Sequence, residues 1–175
     1  RILAELDRLG LRESTAIVFT SDHGYHLGDH TFWQKANVHE QVTRVPLILS
    51  VPGYQPGRSK SIVELVDLYP TLAELTEFRT PEHVQGVSLR PILKDPQASV
   101  KKGALSFANG HSWRTRNWAY MRYTDGSEEL YDMRKDPEQF TNLAKDPKHA
   151  DRVNEMALGL GARLKSAGIG LKKSS

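Results

Sequence analysis

Apolar positions in the first twenty residues follow two different rhythms. Ile2, Leu3, Leu6 and Leu9 recur at helical spacing, and Gly10 stands where a left-handed C-terminal cap belongs. Residues 15–20 then form an unbroken apolar and β-branched run, which predicts a short strand buried on both faces. A helix feeding such a strand predicts an α/β unit with parallel strands. Residues 24–43 are polar and rich in His and Gly, a loop long enough to suggest function. A second strand is predicted over residues 44–51, with Pro46 near its start or on an edge. Pro52-Gly53 and Pro56-Gly57 mark turns, and Asp67 is placed to cap a helix running to about Leu75, with Pro70 in its first turn.

From about Pro96 the pattern changes to short alternating runs. Residues 104–108, 113–123 and 129–132 read as strands separated by Asn-Gly and Asp-Gly turn signals, an antiparallel meander. Within residues 113–123, Trp113, Arg114, Arg116, Trp118 and Tyr120 are read on one strand, dividing core from solvent. Asp146-Pro147 opens a last helix, whose apolar stripe is Val153, Met156, Ala157, Leu160 and Leu164. Gly159 and Gly161 are expected to weaken it, and the tail beyond Gly168 to fray. The predicted boundary divides an α/β region over residues 1–96 from a small β-plus-helix subdomain over 97–175.

Composition narrows the class. No apolar run approaches the ~20 residues of a membrane span, and the absence of Cys excludes a disulfide framework, a zinc-thiolate site and a cysteine nucleophile within this chain. The formal charge of +3 is uneven: residues 1–100 hold 10 basic and 12 acidic side chains, residues 101–175 hold 14 and 9. Without clustered runs, that bias is no nucleic-acid footprint, and Lys101-Lys102 and Lys172-Lys173 read as solvated pairs. The chain begins at Arg1 in what reads as mid-element, with no signal peptide, which raises the expectation of a C-terminal piece of something larger.

The polar cluster Ser21-Asp22-His23-Gly24 falls at the C-terminal end of the first strand, the edge where open α/β sheets bind ligands. A carboxylate and an imidazole adjacent there can reach one cation if the backbone turns sharply, which Gly24 permits. Alternatively, Asp22 caps a turn and His23 is a satisfied loop residue. Lys35, twelve residues after His23 and beside Phe32 and Trp33, is a mobile point charge suited to an anionic oxygen, or a surface lysine lying over the aromatics.

In combination these segments resemble the sulfatase family. The run Thr20-Ser21-Asp22-His23-Gly24-Tyr25-His26-Leu27-Gly28-Asp29-His30, then Trp33 and Lys35, then Thr43-Arg44-Val45-Pro46-Leu47-Ile48, carries the likeness, which is strongest to the iduronate-sulfatase branch. Val66-Asp67-Leu68-Tyr69-Pro70-Thr71-Leu72 and Glu129-Leu130-Tyr131-Asp132, with Asp136-Pro137-Glu138 and Thr141-Asn142-Leu143, extend it in register to about residue 165. The resemblance implies the C-terminal part of an alkaline-phosphatase-like α/β sandwich with a mostly parallel sheet, followed by a small antiparallel sheet with a C-terminal helix. It implies hydrolysis of sulfate esters, with a sulfated carbohydrate as substrate partner and calcium, or another divalent cation, as cofactor. By position Asp22 and His23 match metal ligands, and Lys35 matches the catalytic lysine that contacts sulfate. Tyr25 falls where the branch places an aromatic beside substrate, and His30 flanks the same site. His26 and His39 read more readily as loop histidines, and His83, His111 and His149 as surface residues; Arg116 is read on a core-and-solvent strand, with reach to an acidic glycan in the cleft as the alternative.

The family's nucleophile, a formylglycine made in a Cys/Ser-x-Pro-x-Arg segment, has no counterpart here. Ser50-Val51-Pro52-Gly53-Tyr54 has Tyr where Arg is required. The nucleophile and the first metal-ligand pair are therefore expected in an N-terminal part outside this chain, and the chain alone is expected to be inactive. Calcium prefers oxygen ligands, so the imidazole by itself leaves the metal open. The enzyme alternative is a two-metal phosphodiesterase or phosphomutase of the same superfamily. The alternative of another class is a noncatalytic module that binds acidic glycans through the basic half. Compartment is suggested by likeness alone, as periplasmic, extracellular or lysosomal.

Overall fold

A computed structural model describes residues 1–169. The fraying expected beyond Gly168 therefore falls, from residue 170 onward, outside the described residues, as does Lys172-Lys173. Helix α1 (Ile2–Arg8) ends as its sequence predicts. Gly10 takes φ +68°, while Leu11 N–H donates to Leu6 O and Gly10 N–H to Asp7 O, the paired bonds of a Schellman cap.

Strands β1 (Ile17–Thr20) and β2 (Leu47–Ser50) form a two-stranded sheet, with Phe19 opposite Ile48. They run antiparallel, which corrects the expectation of parallel strands for this pair. A parallel return needs a crossover element long enough to span a sheet. The connection, residues 21–46, holds only a 3-10 turn at Asp29–Thr31 and the four-residue helix α2 (Glu40–Thr43), so the chain re-enters from the edge it left. The expectation that β1 is buried on both faces is also corrected: Phe19 is 60% exposed and its neighbour Ile48 59%.

Helix α3 (Leu68–Leu75) starts after Asp67 as predicted, but the Asp67 side chain does not cap it. Its carboxylate instead accepts from Glu64 N–H at 2.8 Å, Val87 N–H at 2.9 Å and Lys101 Nζ at 2.7 Å, and it is fully buried. Lys101 is thus no solvated lysine: its ammonium joins Asp67 to Glu64, 2.5 Å away, and Glu64 in turn accepts from Leu105 N–H. A buried carboxylate pair is tolerated because the Lys101 ammonium serves both and the Arg163 guanidinium lies 3.8 Å from Glu64. Helix α4 (Arg90–Lys94) follows, with Pro91 in its first turn.

The second sheet is a meander in the order β3 (Gly103–Phe107), β4 (Gly110–Thr115), β5 (Trp118–Tyr123), β6 (Glu128–Asp132). The single strand expected over residues 113–123 is two strands joined at Arg116-Asn117, so Trp113 faces Tyr120 across the hairpin. Alternation along β5 sorts its residues. Trp118 and Tyr120 join Leu130 under Met156, Leu160 and Leu164 of helix α5 (Ala150–Ser166), while Ala119 and Met121 join Tyr131 and Met133 around Val38 of the long loop. Asp146 accepts from Lys148 N–H just before α5, the expected cap. Gly159 serves packing, since a Cβ there would lie 2.6 Å from Trp113 Nε1. No helix among the described residues is long and apolar enough to cross a membrane.

Candidate functional site

The tip of β1 and the far end of the long loop meet at one cleft. Gly24 is the pivot, and its requirement is space: its N–H donates to Val42 O at 2.8 Å, and a Cβ would lie 2.0 Å from Gln41 O. That contact folds the loop back on itself and lays α2 against the strand tip. Lys35 arrives from the other side. Asn109 Nδ2 donates to Ala36 O at 2.8 Å, and Val38 is sealed against the four-stranded sheet, so residues 35–38 are held by the second region of the molecule.

His23 Nδ1 lies 2.7 Å from Gly24 O. A carbonyl only accepts, so Nδ1 carries the proton and the Nε2 lone pair points outward. Lys35 Nζ donates to that lone pair at 2.8 Å, and Asp22 Oδ2 lies 3.6 Å from the same nitrogen. The Asp22 carboxyl is held below its ordinary value. The electrostatic pull of His23 is the largest cause; backbone N–H donors and the Lys35 ammonium add to it against desolvation. Carboxylate, imidazole and ammonium therefore share one hollow. They line a cavity of about 1500 Å³ that also takes in Asn37, Tyr54, Arg114 and Arg116.

The donors that point here, an ionised carboxylate and an oriented imidazole lone pair, suit a divalent cation, which would take the place on Nε2 that the Lys35 ammonium holds in this structure. Among the described residues no third His, Cys, Asp or Glu joins Asp22 and His23 as a ligand group.

Other sequence-selected residues lie elsewhere. Tyr25 is not among the residues lining this cavity; its OH donates to Trp33 O at 2.9 Å and braces the loop. His30, at φ 53°, donates from Nε2 to Glu138 O at 2.8 Å and stacks on Phe140, which ties the loop to the second region. His26 is fully buried with Nε2 on Asn37 Oδ1, and the buried His39 reaches Glu129 Oε2 at 3.3 Å, so both hold structure together. His149 packs against Trp118. Sequence reasoning missed Asn37, Tyr54 and Arg114 as cavity residues. Arg114 had a signal only in hindsight: its partner Glu40, 2.9 Å away, is seventy-four positions distant.

Comparison with known proteins adds four findings. The family model for N-sulphoglucosamine sulphohydrolase, C-terminal, matches residues 28–165. Arylsulfatase K of Bos taurus is 31% identical over 161 residues, covering 82% of this chain and 30% of that protein. Among solved structures, a 2-O GAG sulfatase superposes with a TM-score of 0.88 at 28% identity, over 95% of this chain and 40% of the other. A phosphonate monoester hydrolase from Silicibacter pomeroyi does so with a TM-score of 0.84 at 27% identity, over 95% and 38%. The chain thus spans about a third of the length of the curated relatives it matches.

Proposed function

The chain belongs to the sulfatase family, and from that premise we propose that it supplies two metal ligands and an anion-binding lysine to a sulfuric ester hydrolase acting on sulfated carbohydrates. The observation that carries the reading is the convergence of Asp22, His23 and Lys35, with Lys35 Nζ 2.8 Å from His23 Nε2. Sulfuryl transfer spreads negative charge over the nonbridging oxygens and builds it on the departing ester oxygen. Groups already aimed at those positions lower the barrier more than they strengthen substrate binding.

Asp22 and His23 would hold the cation, proposed as calcium. When bound it supplies positive charge to the sulfate oxygens. Lys35 binds a nonbridging oxygen with its ammonium, and its attachment through Ala36 and Val38 to the four-stranded sheet limits where that charge can go. Gly24 O fixes the His23 tautomer. The formylglycine nucleophile and the remaining ligands belong to the N-terminal part of the same enzyme, and that part is also the proposed cover for the exposed face of Phe19 and Ile48. The sugar class follows from relatives such as the 2-O GAG sulfatase.

The test is competitive turnover by the full protein that bears this chain. It is expected to hydrolyse 4-nitrophenyl sulfate with kcat/KM at least tenfold above that for 4-nitrophenyl phosphate or a phenyl phosphonate monoester. Preference for either phosphorus substrate reverses the assignment in favour of the phosphonate-hydrolase relatives.

A further inference from the structure

A second hollow, of about 830 Å³, opens where the β4–β5 turn meets residues 97–102 and α5. It lies at the opposite end of the β3–β4 hairpin from Asn109 and Lys35, about 13 Å along β3. Its walls carry Lys60, Lys101, Lys102, Arg116, Arg134 and Arg152, against Glu155 as the acid among its lining. Two of the guanidiniums are fixed in place. Arg134 and Arg152 sit over the Trp118 ring at 5.5 and 5.2 Å from its centre, and Arg134 is braced by Asp132. Lys101 is committed to Glu64 and Asp67, and Arg152 to Glu155. Among the described residues Lys60, Lys102 and Arg116 form no ion pair.

Three uncompensated positive charges facing one concavity repel each other, and the low-dielectric walls focus their field. An incoming polyanion relieves that repulsion. The hollow is also continuous with the site cavity, because Lys60, Ser61, Arg116 and Asn117 line both. We infer that this hollow binds a second anionic group on a sulfated glycan chain whose scissile ester lies at Lys35, so that the protein favours sulfated oligomers over single sugars. The ligand class rests on the sulfate-ester reading above. The site suits a glycan better than a nucleic acid because neither tryptophan in its wall is set out for a base to stack on: Trp118 is only 8% exposed and covered by its two guanidiniums, and Trp113 is partly buried against Gly159 and the core under α5.

The experiment measures binding of a fluorescent heparin-derived octasaccharide to the full protein, with the fully desulfated octasaccharide as control. Replacing Lys60, Lys102 and Arg116 together by Ala is expected to weaken binding about tenfold and to flatten the slope of log Kd against log salt by about two. Arg116→Glu alone, checked by a thermal melt matching the unsubstituted protein, is expected to weaken it at least fivefold. Affinity within twofold of the unsubstituted protein for both variants overturns the inference. So does displacement of the octasaccharide by a single-stranded oligonucleotide of equal charge as effectively as by unlabelled octasaccharide. Binding is read without turnover. Charge-dependent binding to a protein inert toward aryl sulfate would therefore sink the hydrolase reading and leave the subsite standing.

Discussion

The two sheets of this protein put similar β-branched and aromatic strands to different use. In the four-stranded sheet, every residue of β5 from Trp118 to Met121 is buried, one face under α5 and the other against Val38 of the long loop. In the two-stranded sheet, Phe19 and Ile48 sit side by side and stay open to solvent, and the apolar stripe of α1 is open as well. The lesson concerns division of labour. The closed region is a rigid support, and it holds Lys35 through Ala36 and Val38. The open region presents Asp22 and His23 at a strand tip and leaves its apolar face exposed. The site lies on the seam between them.

The largest expected effect comes from cutting the link between the regions. Lys101→Ala leaves the buried Asp67 without a cation and Glu64 with only Arg163, 3.8 Å away, and should cost about 3–5 kcal/mol in denaturant unfolding; a loss below about 1 kcal/mol would mean that the two regions do not depend on this cluster. Next in size is the contrast of the two faces. Leu160→Ala should cost about 2–5 kcal/mol, whereas Phe19→Ala in this chain should stay within about 0.5 kcal/mol. Equal losses would erase the distinction between closed and open sheets.

A smaller effect is pH-dependent. Glu129 is half-buried, and burial, the largest influence, raises its carboxyl. The hydrogen bond and charge of His39, with the Tyr123 and Tyr131 hydroxyls, outweigh that and leave it below the ordinary carboxylate value. A depressed carboxyl stabilises the fold above its unfolded-state pKa, and that contribution is lost as pH falls through the folded value. The melting temperature should therefore drop on acidification below the ordinary carboxylate range. Glu129→Gln should flatten that part of the profile, and an unchanged profile would remove Glu129 from the linkage.

Much of this was legible in the chain because the signals are local. The Gly10 cap, the Asp146-Pro147 helix start and the stripe Met156, Leu160, Leu164 each need only a few neighbours to be read. Asp22, His23 and Lys35 were legible as a spaced set through family likeness, and the structure brings those three together. What stayed hidden depends on distant partners. Lys101 reads as a surface lysine until Glu64 and Asp67, more than thirty positions away, are packed against it. Gly159 reads as a weak point in a helix until Trp113 fills the space it leaves. Arg116-Asn117 is a tight turn without glycine, so two strands looked like one. Tyr25 and His30 sit close to the site in sequence, yet their hydrogen bonds turn them to the loop and to residue 138.

The central claim is that Lys35 contributes charge to the reacting sulfate and little to folding. Lys35 is exposed, so Lys35→Ala in the full protein should leave the melting temperature within about 1 °C while kcat for 4-nitrophenyl sulfate falls about 100-fold or more. A variant that melts normally and turns over within threefold of the unsubstituted protein would contradict the claim.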